Sequence, residues 1–215
     1  MRVFVTGGSG VLGRMLIPLL AEAGHDVVAP GHADLDLYDA AAVRRALDNV
    51  EALYHLATRI PSREAQAQPG AWDENNRLRS EASRVLADAA LDAGVRSYIL
   101  PSVTFVYPAE GNVDEETPVT PAANLGSMIA AEAQCRRLSD AGRTGVILRL
   151  GLLWGPGTGA DAPVDRYGAT LQIADAGRAL AMALTVASGV YNVVAVGGRV
   201  SNARFKAATG WRPAY

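Results

Sequence analysis

Thr6-Gly7-Gly8-Ser9-Gly10-Val11-Leu12-Gly13 is the most informative segment near the N-terminus. It follows a short strand-like run, residues 3–6, and opens a helical pattern over residues 11–23. Its glycines fall in a G-x-x-G-x-x-G spacing. In a strand–turn–helix context the first glycine permits the tight turn. The second lets a pyrophosphate approach the backbone, and the third lets helix and strand pack closely. The helix start then offers free N–H groups and a partial positive charge to the phosphate. Gly7, Gly10, Val11, Leu12 and Gly13 are therefore candidate dinucleotide-binding residues. A glycine pattern alone is a weak signal; its place between a strand and a helix gives it meaning.

Working outward, short β-branched runs alternate with longer Ala/Leu/Arg segments. Strands are expected at residues 26–29, 52–55, 97–100, 146–150 and 190–194, and helices at 40–47, 72–93, 124–141 and 176–184. This alternation implies an α/β chain with a Rossmann-type doubly wound parallel sheet, joined by right-handed crossovers. Residues 1–155 would form the dinucleotide-binding domain. Residues 156–215 would form a short substrate-side segment packed on it as one compact unit. The looser stretches 60–70, 109–123 and 155–168 follow strand C-termini, the edge where such sheets bind ligands.

Composition fits this class. The 215 residues suffice for one ample core, and 49% are apolar against 20% charged. A net charge of −2 gives no electrostatic case for nucleic acid or an anionic membrane. No run reads as a membrane span, and the N-terminus runs straight into strand-like sequence without a signal peptide, so a cytoplasmic protein is expected. The three histidines show no metal-ligand spacing, and no metal is expected. The single cysteine, Cys135, reads as a structural position on a helix surface rather than a catalytic thiol. Arg77, Arg79, Arg84, Arg136 and Arg137 read as exposed helix faces that pair with acids such as Glu81 and Asp140, and Arg59 as a solvated loop residue.

The acidic loop Asp34-Leu35-Asp36-Leu37-Tyr38-Asp39 supplies Asp39 as a helix N-cap and Asp36 as a candidate contact for the adenine amino group. The end of the second strand, Val27-Val28-Ala29-Pro30-Gly31-His32, carries no carboxylate where one would bind the ribose hydroxyls of NAD. A 2′-phosphate is not repelled there, and His32 is placed to contact it. NADP is the expected cofactor, with NAD possible.

As a set these residues resemble the short-chain dehydrogenase/reductase superfamily, in its extended or atypical branch of epimerases, dehydratases and reductases. The resemblance covers nearly the whole chain. Residues 6–13 are similar to the family's dinucleotide turn and Asp36-Leu37 to its adenine-contacting pair. Tyr54-His55-Leu56-Ala57-Thr58 resembles the segment that runs under the cofactor, which adds Leu56, Ala57 and Thr58 to the candidate set. Val106-Tyr107 resembles the segment after a central strand. Arg149 to Gly157 resembles the R-x-x-x-x-YGPG stretch, and Gly210-Trp211-Arg212-Pro213 the C-terminal ending.

The resemblance implies chemistry by Ser/Thr, Tyr and Lys, in which an ammonium lowers the Tyr pKa while hydride moves to or from nicotinamide. Here the pattern breaks. The stretch Asn124-Leu125-Gly126-Ser127-Met128-Ile129-Ala130-Ala131-Glu132 puts Asn124 where Tyr is expected and Met128 where Lys is, or Leu125 and Ile129 in the other register. Lys206 is the only lysine in the chain. The catalytic hydroxyl falls at Val103, flanked by Ser102 and Thr104. Ser102, Thr104 and Asn124 are the candidate catalytic residues. Asp175 comes only 18 positions after Gly157, which leaves a short lid and an open site for a bulky ligand.

Three functions fit. One is an NADPH-dependent ketoreductase for a bulky secondary-metabolite ketone, with its proton from water, the substrate's phenol or a hydroxyl such as Thr104. A second is a non-catalytic dinucleotide sensor. A third is a sugar-nucleotide epimerase or dehydratase, which would need the missing base. The partner is a small-molecule substrate, and the chain is a monomer or homodimer.

Overall fold

The structure is a computed structural model that describes residues 1–62, 64–164 and 166–215, with the backbone alone for Ala123. Six parallel strands form the central sheet: β1 (Arg2–Thr6), β2 (Asp26–Val28), β3 (Ala52–His55), β4 (Ser97–Val103), β5 (Thr144–Leu150) and, near the C-terminus, Gly189–Val193. The order is β2-β1-β3-β4-β5 and then the Gly189–Val193 strand. The order reverses between β1 and β3, so the switch point lies at their C-terminal ends, where the turn of residues 6–13 emerges.

Helices cover both faces. On one side lie α1 (Val11–Glu22) and a later helix, Ile173–Met182, whose Leu16, Leu20, Ala176, Ala179 and Leu180 bury against the sheet. The other side carries α2 (Ala40–Ala46), the helical stretch of residues 73–93, and α5 (Gly126–Asp140), through residues such as Val43, Leu86 and Leu138. Central strand β3 is buried at all four positions, as a strand covered on both faces must be. Asp39 caps α2 by accepting from the amides of Ala41 and Ala42, as its place before the helix implied.

The stretch expected as one helix over residues 72–93 is three pieces: α3 (Asp73–Arg77), a π-helical turn at Leu78–Ala82, and α4 (Ser83–Ala93). The Ser83 amide reaches back five residues to the Leu78 carbonyl, and the Ser80 hydroxyl bonds the Asn76 carbonyl at 2.8 Å. One extra residue in a turn leaves apolar periodicity almost unchanged, so the pattern does not show it. Gly94, in the left-handed conformation, ends α4. Cys135 is a correction of a different kind. It is fully buried, with its Sγ 3.4 Å from the Tyr98 carbonyl oxygen, and is not on the helix surface.

Residues 156–215 divide between two places. The helix Ile173–Met182 packs on α1 and the strand Gly189–Val193 joins the main sheet beside β5. A separate parallel pair, β6 (Leu152–Trp154) and β7 (Thr170–Gln172), brackets the loop of residues 155–169. With these ranges given, Ile173–Met182 is α6, Gly189–Val193 is β8 and the last helix, Ala203–Thr209, is α7. The chain end folds back onto α6. The buried Asp175 carboxylate accepts from the amides of Ala214 and Tyr215, and Trp211 Nε1 donates to the Asp175 carbonyl. Among the described residues no helix is long and apolar enough to cross a membrane.

Candidate active site

The glycine turn is built as a cradle with no room for side chains. Gly7 has φ +69°, and a Cβ there would stand 2.7 Å from the Ala57 amide nitrogen. A Cβ on Gly13 would stand 2.4 Å from the Gly8 carbonyl oxygen, so the third glycine seats α1 against the turn itself. Gly10, by contrast, has only the Gly7 carbonyl oxygen near it, at 3.1 Å, which leaves its outer side open. Gly10 is the N-cap of α1, with no side-chain cap and no acid in the first turn. Uncapped leading amides with no competing carboxylate suit a pyrophosphate. The loop at Gly157 lies over this helix start, close enough that a Cβ would meet Val11 and Arg14 at 3.1 and 3.2 Å.

On the adenine side, His32 and Asp36 are exposed, and Leu37 is half-buried against the core. Asp36 Oδ1 accepts from the Tyr38 amide, which fixes the bend of the loop. β2 ends at Val28, and the first carboxylate past that end is Asp34, whose Oδ2 accepts from the Gly31 amide at 2.9 Å.

Behind the turn runs a chain of hydrogen bonds. The Ala57 amide donates to Thr6 Oγ1 at 3.2 Å, and Thr6 Oγ1 lies 2.9 Å from His55 Nδ1. His55 Nε2 lies 3.4 Å from the Leu78 carbonyl oxygen in the π-helical turn. These partners assign the proton to Nε2 and make Nδ1 the acceptor for the threonine hydroxyl. Burial pushes the His55 pKa down to about 4, against a partial rise from the Leu78 bond, so the ring is neutral near pH 7. Leu56 is buried, Ala57 is half-buried and Thr58 is exposed at the switch point.

At the reacting end the three candidates part company. Ser102 is buried and donates to Glu132 Oε1 at 2.6 Å. Glu132 also accepts from Arg149 Nε and Nη2 at 3.0 and 2.8 Å and from Arg136 Nη2 at 2.9 Å. The serine is thus bound into a buried ion-pair cluster that ties β4, β5 and α5 together. Thr104, two residues on, is buried with no partner for its Oγ1. Asn124 is exposed in the short turn before α5. Val103, at the hydroxyl's expected position, is half-buried, and Tyr107 is locked by its bond to Asn192 Oδ1 at 2.9 Å with the Arg149 guanidinium 4.8 Å above its ring. The Phe105 ring stacks on Tyr167 with centroids 4.1 Å apart, so the short loop after Gly157 reaches across the end of β4.

Arg79 departs from the exposed helix face that the charge pattern implies. Arg77 pairs with Glu81 and Arg84 with Asp88, as exposed helix faces do, but Arg79 is only 9% exposed. With Ser83 it lines a cavity of about 20 Å³ that Met128 also lines, and Asn75, four residues before it, is buried as well. Spacing of four with two buried polar neighbours was the available signal; the charge pattern of the surrounding helix masked it. A larger groove, about 560 Å³, lies beside edge strand β2 between Arg2, Pro30, Arg45 and Asn49, and no residue of the glycine turn lines it.

Residues 3–182 match the NAD dependent epimerase/dehydratase family, and the chain belongs to that family. It is 32% identical over 178 residues to the 3-diazoavenalumate denitrifying reductase of a Streptomyces species, covering 74% of this chain and 58% of that protein. It is also 32% identical over 229 residues to the dTDP-4-dehydrorhamnose reductase of Streptomyces griseus, covering 94% of this chain and 73% of the relative. The solved structure of MoeE5 in complex with UDP-glucuronic acid and NAD is similar with a TM-score of 0.75 at 26% identity, over 99% of this chain and 84% of that one. This chain therefore spans less than two thirds of the denitrifying reductase's length.

Proposed function

We propose that this family member is a nicotinamide-dependent reductase whose reacting end works without the tyrosine–lysine pair. The observation that carries the reading is an intact phosphate cradle, Gly7 to Gly13, at the switch point of a sheet whose α5 helix presents Met128 in place of a cation. The reductase names of the two Streptomyces relatives support it. NADP is the favoured form, because His32 is exposed past the end of β2 and residues 27–32 carry no carboxylate of the kind that binds the ribose hydroxyls of NAD.

A bound dihydronicotinamide supplies a hydride. The chain's own contribution is to hold that ring and a substrate in register, which accounts for much of the rate in such transfers. The amides of Val11, Leu12 and Gly13 bind the pyrophosphate, and Ala57 and Thr58 back the dinucleotide. Thr104 is the hydroxyl left free to donate to a carbonyl oxygen, while Ser102 holds Glu132. The substrate class is a bulky aromatic ketone with an adjacent phenol, which carries its own proton to the alkoxide. Epimerase and dehydratase chemistry begins by oxidising an alcohol and needs a base that these residues do not provide.

A second reading has its own support in the denitrifying relative's name and the missing acid. An aryl diazonium accepts hydride with loss of N₂, forming Ar–H, and no proton is required. Both readings are tested by following the loss of reduced-nicotinamide absorbance with NADPH and with NADH, against hydroxyaryl ketones and against aryl diazonium ions. Turnover of the ketones supports the first reading, and turnover of diazonium ions alone supports the second. NADPH binding with no turnover of either would overturn both in favour of a sensor.

A further inference from the structure

Arg79 is the one arginine of its helical stretch that is both buried and alone. Its Nε is buried without a partner, and no hydrogen bond or ion pair reaches its side chain among the described residues. Neighbouring arginines at 77 and 84 each find a carboxylate within a single helix turn. An unpaired buried charge is costly and is seldom kept without a partner. Burial also lowers the Arg79 pKa, though a guanidinium stays charged throughout the working range. Two flanking side chains on the same inward stripe, Asn75 and Ser83, likewise hold a buried polar atom without a partner.

The surroundings say what that partner is. Arg79 shares its cavity with His55, Ala57, Thr58, Leu100 and Met128. Ala57 is the residue whose backbone closes against Gly7 of the phosphate turn. The cavity therefore adjoins the dinucleotide's path just past the pyrophosphate, on the β3–β4 side of the switch point, opposite the adenine side at β2. At about 20 Å³ it admits a single water, so a ligand passes its mouth rather than entering. Met128 is one of the two positions on α5 where the resemblance expects an ammonium, and the cation beside it comes instead from the π-helical turn. π-turns recur at functional sites. This turn is held by His55 through the Leu78 carbonyl, next to Arg79.

We infer that Arg79 is a dinucleotide-binding residue, whose guanidinium fork donates to the hydroxyl pair of the nicotinamide-side ribose and supplies the fixed positive charge that α5 lacks. The inference rests on the reading of the chain as a nicotinamide-dependent protein. Its test is calorimetric binding of NADPH and NADH to the whole chain, with apo-protein melting measured alongside. Arg79→Met removes an unpaired buried charge, so the apo protein should melt at or above the wild-type temperature. Its dinucleotide affinity should fall by about tenfold to a hundredfold, as expected for a charged donor. Arg79→Lys keeps a cation and should recover most of that affinity. Wild-type affinity in Arg79→Met would overturn the inference, as would equal loss in the Lys and Met variants. A large fall in the Arg79→Met apo melting temperature would overturn it too, by marking Arg79 as part of the fold. A wild-type chain that binds neither dinucleotide would instead count against the reductase reading.

Discussion

Replacing Glu132 tests how the reacting end is held. Its carboxylate is fully buried and accepts four hydrogen bonds, from Ser102, twice from Arg149 and from Arg136. The Arg149 side chain is 4% exposed, so Glu132→Ala leaves a buried guanidinium without its counter-ion. Breaking one side of such a pair costs about 3–5 kcal/mol. At roughly 2–4 °C per kcal/mol for a chain of this size, the melting temperature should fall by about 6–20 °C. Removing both charges together, as Glu132→Leu with Arg149→Met, should recover most of that loss, because the desolvation cost of both ions goes too. The assay is urea unfolding of the wild type, each single variant and the pair, read as a double-mutant cycle. A Glu132→Ala cost below about 1 kcal/mol, or a pair as damaged as the sum of its singles, would refute the account. The pH dependence has a definite sign. Burial pushes the Glu132 carboxyl up, but Arg149, Ser102 and Arg136 outweigh it and hold it below its ordinary value. The unfolded chain therefore takes up this proton first as pH falls. The stabilisation is full above the ordinary carboxylate range and drains away below roughly pH 4. The gap in stability between wild type and Glu132→Gln should shrink over that range.

Two further predictions concern the cofactor side. Gly13→Ala should gain the usual helix preference of about 1 kcal/mol and lose roughly 1–3 kcal/mol to overpacking. The Cβ has only the Gly8 backbone to push against, at 2.4 Å. NADPH should then raise the melting temperature of Gly13→Ala less than that of wild type, and an unchanged ligand-induced shift would refute the cradle. The second is His55, neutral and buried with a pKa pushed down to about 4 from 6.5. Between those values the unfolded chain binds a proton that the native one excludes. Stability should therefore fall as pH drops through the window, by up to about 1.4 kcal/mol per pH unit. Urea melts across that range should show the slope in wild type and lose it in His55→Gln; parallel curves would refute the assignment.

The glycine turn, the parallel α/β alternation and the Asp39 cap were legible in the sequence because each depends on residues within a turn or two of one another. Gly7 needs its positive φ, and Gly13 needs its missing Cβ, whatever the rest of the chain does. That Lys206 is the only lysine is read from composition alone. The roles of Ser102 and Arg79 were not legible in this way. Whether Ser102 is a proton donor or a strut depends on Glu132, 30 positions away, arriving beside it. Whether Arg79 is solvated or buried depends on which face of its helix the sheet covers, and on a π-turn that leaves periodicity intact. Local backbone chemistry thus sets where a dinucleotide can bind. Whether Arg79 stands solvated or buried is decided by packing between β3, α4 and α5, because the desolvation that makes a charge matter exists only once those elements have closed around it.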